Sequence, residues 1–274
     1  MKNISQEELK EILQKHEMWL KDEEGGKRAN LSYVNLSNAD LSHANLRAAN
    51  LSYVNLSNAD LSHANLRVAN LMGINLNNSN LHNADLTCAN LRVANLTDAD
   101  LTNVDLTCAN LEGTNLTDAD LRNANLKYTN LRCTDLTSAN LENVDLWNAN
   151  LINSKLVGIK TNINTMGYNL ACPEKGSFIG YKKAGRCIVK LLILDDAKRS
   201  SATTSKCRCD KAKVLEIKDI NTGELMNEIT STYDHNFVYK VGEMVSVDDF
   251  DENRWNECST GIHFFMNREN ALKY

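Results

Sequence analysis

The amino-acid sequence predicts a repeat solenoid preceded by one amphipathic helix and followed by a small α+β domain, and three features carry that prediction. A leucine stands at every fifth position from Leu31 to Leu156, twenty-six in succession, and the residue before each is Asn or Asp until Lys155. Residues 31–50, LSYVNLSNADLSHANLRAAN, return at 51–70 with a single change, Ala48 against Val68. Beyond about residue 170 the period stops, and runs rich in β-branched and aromatic residues replace it. Self-similarity at a fixed period outranks any local pattern, because each unit can bury its apolar face only against its neighbours.

In chain order, residues 1–28 come first. ISQEELKEILQKHEMWL places Leu9, Ile12, Leu13, His16, Trp19 and Leu20 at helical spacing, Ser5 and Glu8 form a capping box, and Gly25 and Gly26 stop the helix. The ends of a solenoid expose leucines and unpaired backbone groups, so this helix is expected to cap the rod.

Residues 29–170 form the rod. A period of five fits neither the 3.6 of a helix nor the 2 of a strand. The motif A(N/D)LXX, unbroken over about 130 residues, resembles the pentapeptide-repeat family. That resemblance implies a right-handed quadrilateral β-helix, each pentapeptide one side and four to a coil. The residues agree: Leu31, Leu36, Leu41, Leu46, Leu96 and Leu156, with the small residue two places before each leucine, point inward, and the two residues after each leucine face water. Twenty residues are then one coil, so the copied segment adds a coil and returns every later side chain to its own face. Ala48 and Val68 fall on an outward position, where volume costs little.

Stacking by twenties gives four outward faces. One carries Tyr33, Tyr53, Arg92, Glu112 and Arg132, the next Ser37, Ser57, Thr97, Thr117 and Thr137. The third carries His43 and His63 over Asn83, Asn103, Asn123 and Asn143, and the fourth Arg47, Arg67, Lys127 and Trp147. Asn30, Asn50, Asn70, Asn90, Asn110, Asn130 and Asn150 align at one corner, where stacked amides form hydrogen-bonded ladders. His43 and His63 beside Asp40 and Asp60 have the donor types of a zinc or iron site, but a flat face without a pocket is expected to hold no metal. Quinolone-resistance members of the family are understood to mimic DNA and bind topoisomerase. The rod, with twelve acids against seven bases in residues 29–158, carries under a third of the roughly 18 charges that duplex DNA shows along about 31 Å.

The composition bounds the rest. The 274 residues include one proline and carry a net charge of −5, with no signal peptide and no apolar run long enough to span a membrane. Eight cysteines lie scattered without a secretory framework, which favours a reducing cytoplasm. Cys88 and Cys108, one coil apart, are expected to be free thiols.

Residues 171–274 predict an α+β domain, with strands at IVKLLIL, KVLEIKDI, NEITSTY, FVYKVGEMVSV and GIHFFM and a closing helix RENALKY. Through CPEKGSFIGYKK, DDAKRSSATTSKCRCDKAKVLEI and ECSTGIHFF this tail resembles an uncharacterised domain that follows pentapeptide repeats, often in phage or prophage proteins. Lys198, Arg199, Lys206 and Arg208, with Lys211 and Lys213, read as a basic loop able to contact phosphates, although the domain's near-zero net charge argues against direct nucleic-acid binding. Cys207 and Cys209 with Cys172, Cys187, Cys258 or His263 lack the two-residue spacing of a zinc site. GIHFFMNRENALKY looks like the strand and helix that line the nicotinamide pocket of ADP-ribosyltransferases, which need a glutamate on a later strand, and catalysis by this route is not expected.

No catalytic residue and no cofactor or metal site is therefore expected. The sequence predicts a non-enzymatic interaction or scaffold protein with a protein partner of unknown identity, as monomer or homodimer, its recognition residues Lys198, Arg199, Lys206, Arg208 and Trp255 in the tail. The alternative is a DNA-mimicking modulator of a topoisomerase.

Overall fold

The computed structural model describes residues 1–168 and 170–274, in two compact units, Met1–Met166 and Gly167–Tyr274.

In the first unit the rod's backbone bridges run parallel from residue i to residue i+20, from Asn30↔Asn50 to Asn140↔Lys160. Four pentapeptides therefore complete a coil. Each pentapeptide is one tight turn: the Val34 N–H donates to the Leu31 carbonyl at 3.1 Å, with Tyr33 at φ 61° between them. A positive φ at the third residue of such a turn is type II geometry, which favours Gly and Asn. The second residue after every leucine from Leu31 to Leu156 lies in this left-handed region.

Leu31, Leu36, Leu41, Leu46 and Leu96 are buried. Leu156 corrects the expected core: it is only half-buried. The spacing slips to twenty-one residues at Asp145↔Met166, and no leucine stands twenty residues beyond Leu156 to cover it.

The Asn or Asp before each leucine does two jobs. Its Oδ1 accepts the N–H two residues on, as at Asn50 to Ser52 (3.3 Å) and Asp60 to Ser62 (2.9 Å). Asn Nδ2 then donates one coil back, Asn50 to Asn30 at 2.9 Å and Asn55 to Asn35 at 3.0 Å. Where Thr takes the small inward position, its hydroxyl is satisfied by a carbonyl of the preceding coil: Thr114 to Leu91 and Thr129 to Leu106, both at 2.8 Å.

Two elements close the N-terminal end. Strand β1 (Lys2–Asn3) pairs in parallel with β2 (Val34–Asn35), and helix α1 (Gln6–Leu20) follows. Ser5 Oγ accepts the Glu8 N–H at 3.1 Å, while the Glu8 carboxylate pairs with Lys2, so the predicted box is half formed. Buried His16 takes the Ala29 N–H on Nδ1 at 3.2 Å, ties the helix to the first coil, and stacks on Trp19. Strand β1 was not expected. Asn3 stands before Ile4 as each Asn stands before its leucine, and its Oδ1 extends the Asn35 ladder by one rung at 3.3 Å.

Val68 is outward-facing and 51% exposed, as expected of its position, but it holds φ 50°. A β-branched residue there is strained, and Asn is tolerated far better. Val68→Asn is expected to stabilise the rod by about 1 kcal/mol, read as a higher Tm; an unchanged or lower Tm would contradict a strained turn.

The second unit is built on a seven-stranded antiparallel sheet. Its strands in chain order are β3 (Phe178–Ala184), β4 (Cys187–Ile193), β5 (Arg199–Ser201), β6 (Lys206–Cys209), β7 (Lys211–Asp219), then, after a separate hairpin β8 (Glu228–Thr230) and β9 (Val238–Lys240), β10 (Met244–Ser246) and β11 (Ile262–Phe265). Spatially the sheet runs β10-β7-β4-β3-β11-β6-β5. One face buries Val189, Leu191, Val214, Ile217, Phe264 and Tyr239. The other packs Ile188 and Phe265 against Ala271 of helix α2 (Arg268–Lys273). The β3–β11 contact is close: a Cβ on Gly180 would meet the Phe264 ring at 2.6 Å.

The expected strands at 188–194, 213–220 and 261–266 and the closing helix correspond to β4, β7, β11 and α2. The run FVYKVGEMVSV divides into β9 and β10, because Gly242 takes φ 89° between them. Strands β3, β5 and β6 were not foreseen.

Candidate functional site

The segment read as a basic loop is largely the antiparallel hairpin of β5 and β6, and this overturns the accessible phosphate-contacting cluster. Side chains alternate across β6: Cys207 and Cys209 enter the core with Cys172 and Cys187, while Lys206 and Arg208 point to the other face. Both basic residues are nonetheless buried, Arg208 to 2% exposure.

Arg208 braces a turn. Its Nη1 donates to the Thr260 carbonyl at 2.9 Å, its Nη2 to the Asn253 carbonyl at 3.0 Å, and its guanidinium lies 5.5 Å from the Phe250 ring. Gly261 follows at φ 149°, where a Cβ would meet Arg208 Cβ at 3.2 Å. Lys206 Nζ reaches the Tyr274 hydroxyl at 3.2 Å and Cys258 Sγ at 3.6 Å.

Arg199 donates to five carbonyls, those of Pro173, Gly176, Leu194, Asp195 and Ala197, and its guanidinium sits 5.3 Å from the Phe178 ring. It fastens the chain before β3 to the β4–β5 connection. Lys198 is exposed and paired with Glu252. Trp255 is half-buried under the Arg254 guanidinium at 4.5 Å, with Tyr168 beyond it. Three of the five present no free cation, since Lys206 and Arg208 are buried and Arg199 is engaged by five carbonyls. Arginines with several carbonyls in reach read from sequence as phosphate ligands; only tertiary structure shows the carbonyls.

On the rod the predicted rows are present. Tyr33 and Tyr53 stack at 5.1 Å and His43 and His63 at 4.8 Å, with His82 edge-on to His63. Among the described residues no group of three His, Cys, Asp or Glu side chains is arranged to hold a metal ion, and no helix is long and apolar enough to cross a membrane. Most acids of the rod are occupied. Eight of them, from Asp40 to Asp145, cap the turn that follows. Five bases lie against acids: Arg67–Asp85, Arg92–Glu112, Arg122–Asp120, Lys127–Asp145 and Lys155–Asp135. Hydrogen bonds from Lys155 and then from Thr137 hold the Asp135 carboxyl down at about 2.

These charges set an acid response. Burial lowers the pKa of His16, and burial with the nearby Lys206, Lys182 and Arg208 pushes His263 down to about 4. For a group whose folded pKa is depressed, the unfolded chain binds more protons in the window between the two values, so stability falls as pH falls. The histidine loss is expected between about pH 6.5 and 4, and Asp40, Asp85, Asp120 and Asp135, whose carboxyls are held low, add theirs below about 4. In His263→Phe the Tm of the C-terminal unit should vary less between pH 6.5 and 4; an unchanged slope would exclude His263 as its source.

A twenty-residue parallel coil with inward leucine, followed by a separate antiparallel sheet, defines a β-solenoid protein with an appended domain. The family model for pentapeptide repeats (8 copies) matches residues 29–67, 64–103, 94–132 and 129–160, and that of a family of unknown function, DUF5758, matches 168–271. The chain is a pentapeptide-repeat protein with a C-terminal DUF5758 domain. Among solved structures, the pentapeptide-repeat protein Rfr23 from the cyanobacterium Cyanothece 51142 is 36% identical over 35% of this chain and 61% of its own, with a TM-score of 0.22. HetL of Nostoc sp. strain PCC 7120, involved in heterocyst differentiation regulation, is 27% identical over 49% of this chain and 76% of its own, with a TM-score of 0.27. Full-length QnrB1, a plasmid-mediated fluoroquinolone resistance protein, is 20% identical over 50% of this chain and 84% of its own, with a TM-score of 0.23. No curated protein matches the chain.

Proposed function

We propose that this chain is a non-enzymatic interaction protein of the cytoplasm, in which the solenoid is a scaffold and the C-terminal unit carries recognition of a protein partner. The observation that supports it is where free apolar surface lies. Along the rod the exposed Tyr33, Val68, Val93, Tyr128 and Trp147 stand apart from one another in the chain, and only Val157, Ile163 and Met166 fall close together, at its C-terminal end. The C-terminal unit instead exposes Leu225 (71%), Tyr233 (80%), Val238, Val241 and Met244 along one hairpin and the strand after it. Apolar side chains gathered in this way mark interaction surfaces, and aromatic residues dominate interface energetics.

Capture of host proteins on the full-length chain tests this reading. Leu225→Ser with Tyr233→Ser should abolish capture, while Tyr128→Ser with Trp147→Ser should leave it intact; the reverse pattern would move recognition to the rod. The DNA-mimicking reading predicts an effect on gyrase supercoiling. Five of the rod's twelve acids are paired with bases, which leaves its charge density well below that of duplex DNA, so no effect is expected.

A further inference from the structure

The C-terminal unit contains a half-open cavity of about 370 Å³ lined by β3, the β8–β9 loop, β9, the segment after β10 and the turn before β11. That is within the size range of small-molecule sites, about 300–1,000 Å³. Lys182 of β3 lines it, as do Phe237, Tyr239 and the turn residues Cys258, Gly261 and His263.

The cavity's amine has no counter-charge. Among the described residues Lys182 Nζ has neither a carboxylate nor a hydrogen-bond partner, only the Tyr239 ring at 5.9 Å. Elsewhere in the unit Arg186, Lys198, Lys211 and Lys240 each pair with an acid. Two other cations of the unit do not: Lys206, whose charge acts on Lys182, is spent on a hydroxyl and a thiol, and Arg208 on two carbonyls. His263 Nε2 is also buried without a partner. Burial, with Lys206 adding to it, pushes the Lys182 amine below the usual lysine range. Lys182 is half-buried, and a bound anion would supply the counter-charge that its amine lacks within hydrogen-bond reach.

The wall beside the charge is aromatic. Phe237 is half-buried and offers ring surface there, and the buried Tyr239 backs it edge-on at 5.2 Å. The rim selects against high charge, because Asp234 and Asp249 line it and are exposed. Phosphate chains would meet those carboxylates; a single acid group carried inward on a ring would not.

From this arrangement we infer that the cavity is a binding site for a small aromatic monocarboxylic acid, its carboxylate received by Lys182 Nζ and its ring laid against Phe237. Arg208 is a positioning residue for the site, since it fixes the Ser259–Gly261 turn that forms one wall. The site goes beyond macromolecular recognition and does not depend on it.

Calorimetric titration of the full-length chain with benzoate, salicylate and indole-3-acetate is the test, with benzamide as the neutral isostere and ATP as the polyanion. At least one acid should saturate below about 1 mM, and benzamide and ATP should bind roughly tenfold more weakly or not at all. In K182M, with its Tm unchanged, the acid's affinity should fall roughly tenfold or more. No saturation by any of the three acids up to about 10 mM, or equal binding of benzoate and benzamide by the wild-type chain, would overturn the assignment. The wild-type comparison stands even if K182M does not fold.

Discussion

Leu96→Asp will leave the solenoid without a cooperative unfolding transition. Leu96 has no exposure, and the bridges Asn75↔Asn95 and Asn95↔Asn115 set it between Leu76 and Leu116 of the adjoining coils, both equally buried. A carboxylate there meets only aliphatic side chains. Its choices are to remain charged without a partner or to be protonated, and either costs several kcal/mol. Domains are stable by about 5–15 kcal/mol in all. In a solenoid each coil also stabilises the next, so loss at one coil uncouples its neighbours. Leu96→Ala isolates the cavity from the charge and should cost about 2–5 kcal/mol while keeping a single transition. Circular dichroism melts of the three proteins decide the matter: if Leu96→Asp melts as the wild type does, Leu96 does not face the interior.

What could be read in the sequence divides along the same physical line. The rod was legible because its contacts are periodic. A leucine every fifth residue and Asn or Asp before it specify the coil, the inward row and the ladder without knowledge of any distant residue. Even the left-handed turn left a trace, since Asn, Asp or Gly often stands two after the leucine, as at Asn38, Gly73 and Asp98. What it concealed was local strain, as at Val68, and the ends, where Asn3 pairs thirty-two residues away and Leu156 loses its cover.

The C-terminal unit was legible only where apolar residues run together, as in β4 and β7. Strand β6 reads Lys-Cys-Arg-Cys, and composition alone makes it a polar loop. It is a buried strand because Arg208 finds two carbonyls and Lys206 a tyrosine hydroxyl, partners that lie forty-five to sixty-eight residues away in the chain. Arg199 is engaged closer to home, by carbonyls two to twenty-six residues away, and the cavity at Lys182 left no mark in the sequence.

The second large effect tests the coil itself. Removing residues 51–70 deletes one whole coil, and removing 51–60 deletes half of one; both keep the phase of five, so both should give a folded rod. They differ in which side chains become neighbours. Asn38 and Asn78 lie two coils apart in the intact chain, with Asn58 between them, a separation of roughly 9.6 Å at about 4.8 Å per coil. That is beyond the Cα separation of about 4.4–6.8 Å that a disulfide spans. The whole-coil deletion brings positions 38 and 78 into adjacent coils on one row, and the half-coil deletion sends position 78 to the opposite side. Cysteine suits these sites, since Cys88, Cys108 and Cys133 already occupy the same turn position with positive φ. With those three replaced by serine, Asn38→Cys and Asn78→Cys should cross-link under a mild oxidant only after removal of 51–70, to near completion. The intact chain and the half-coil deletion should stay reduced. Cross-linking in the half-coil deletion, or none after removal of the whole coil, would mean that twenty residues are not the repeat of the stack.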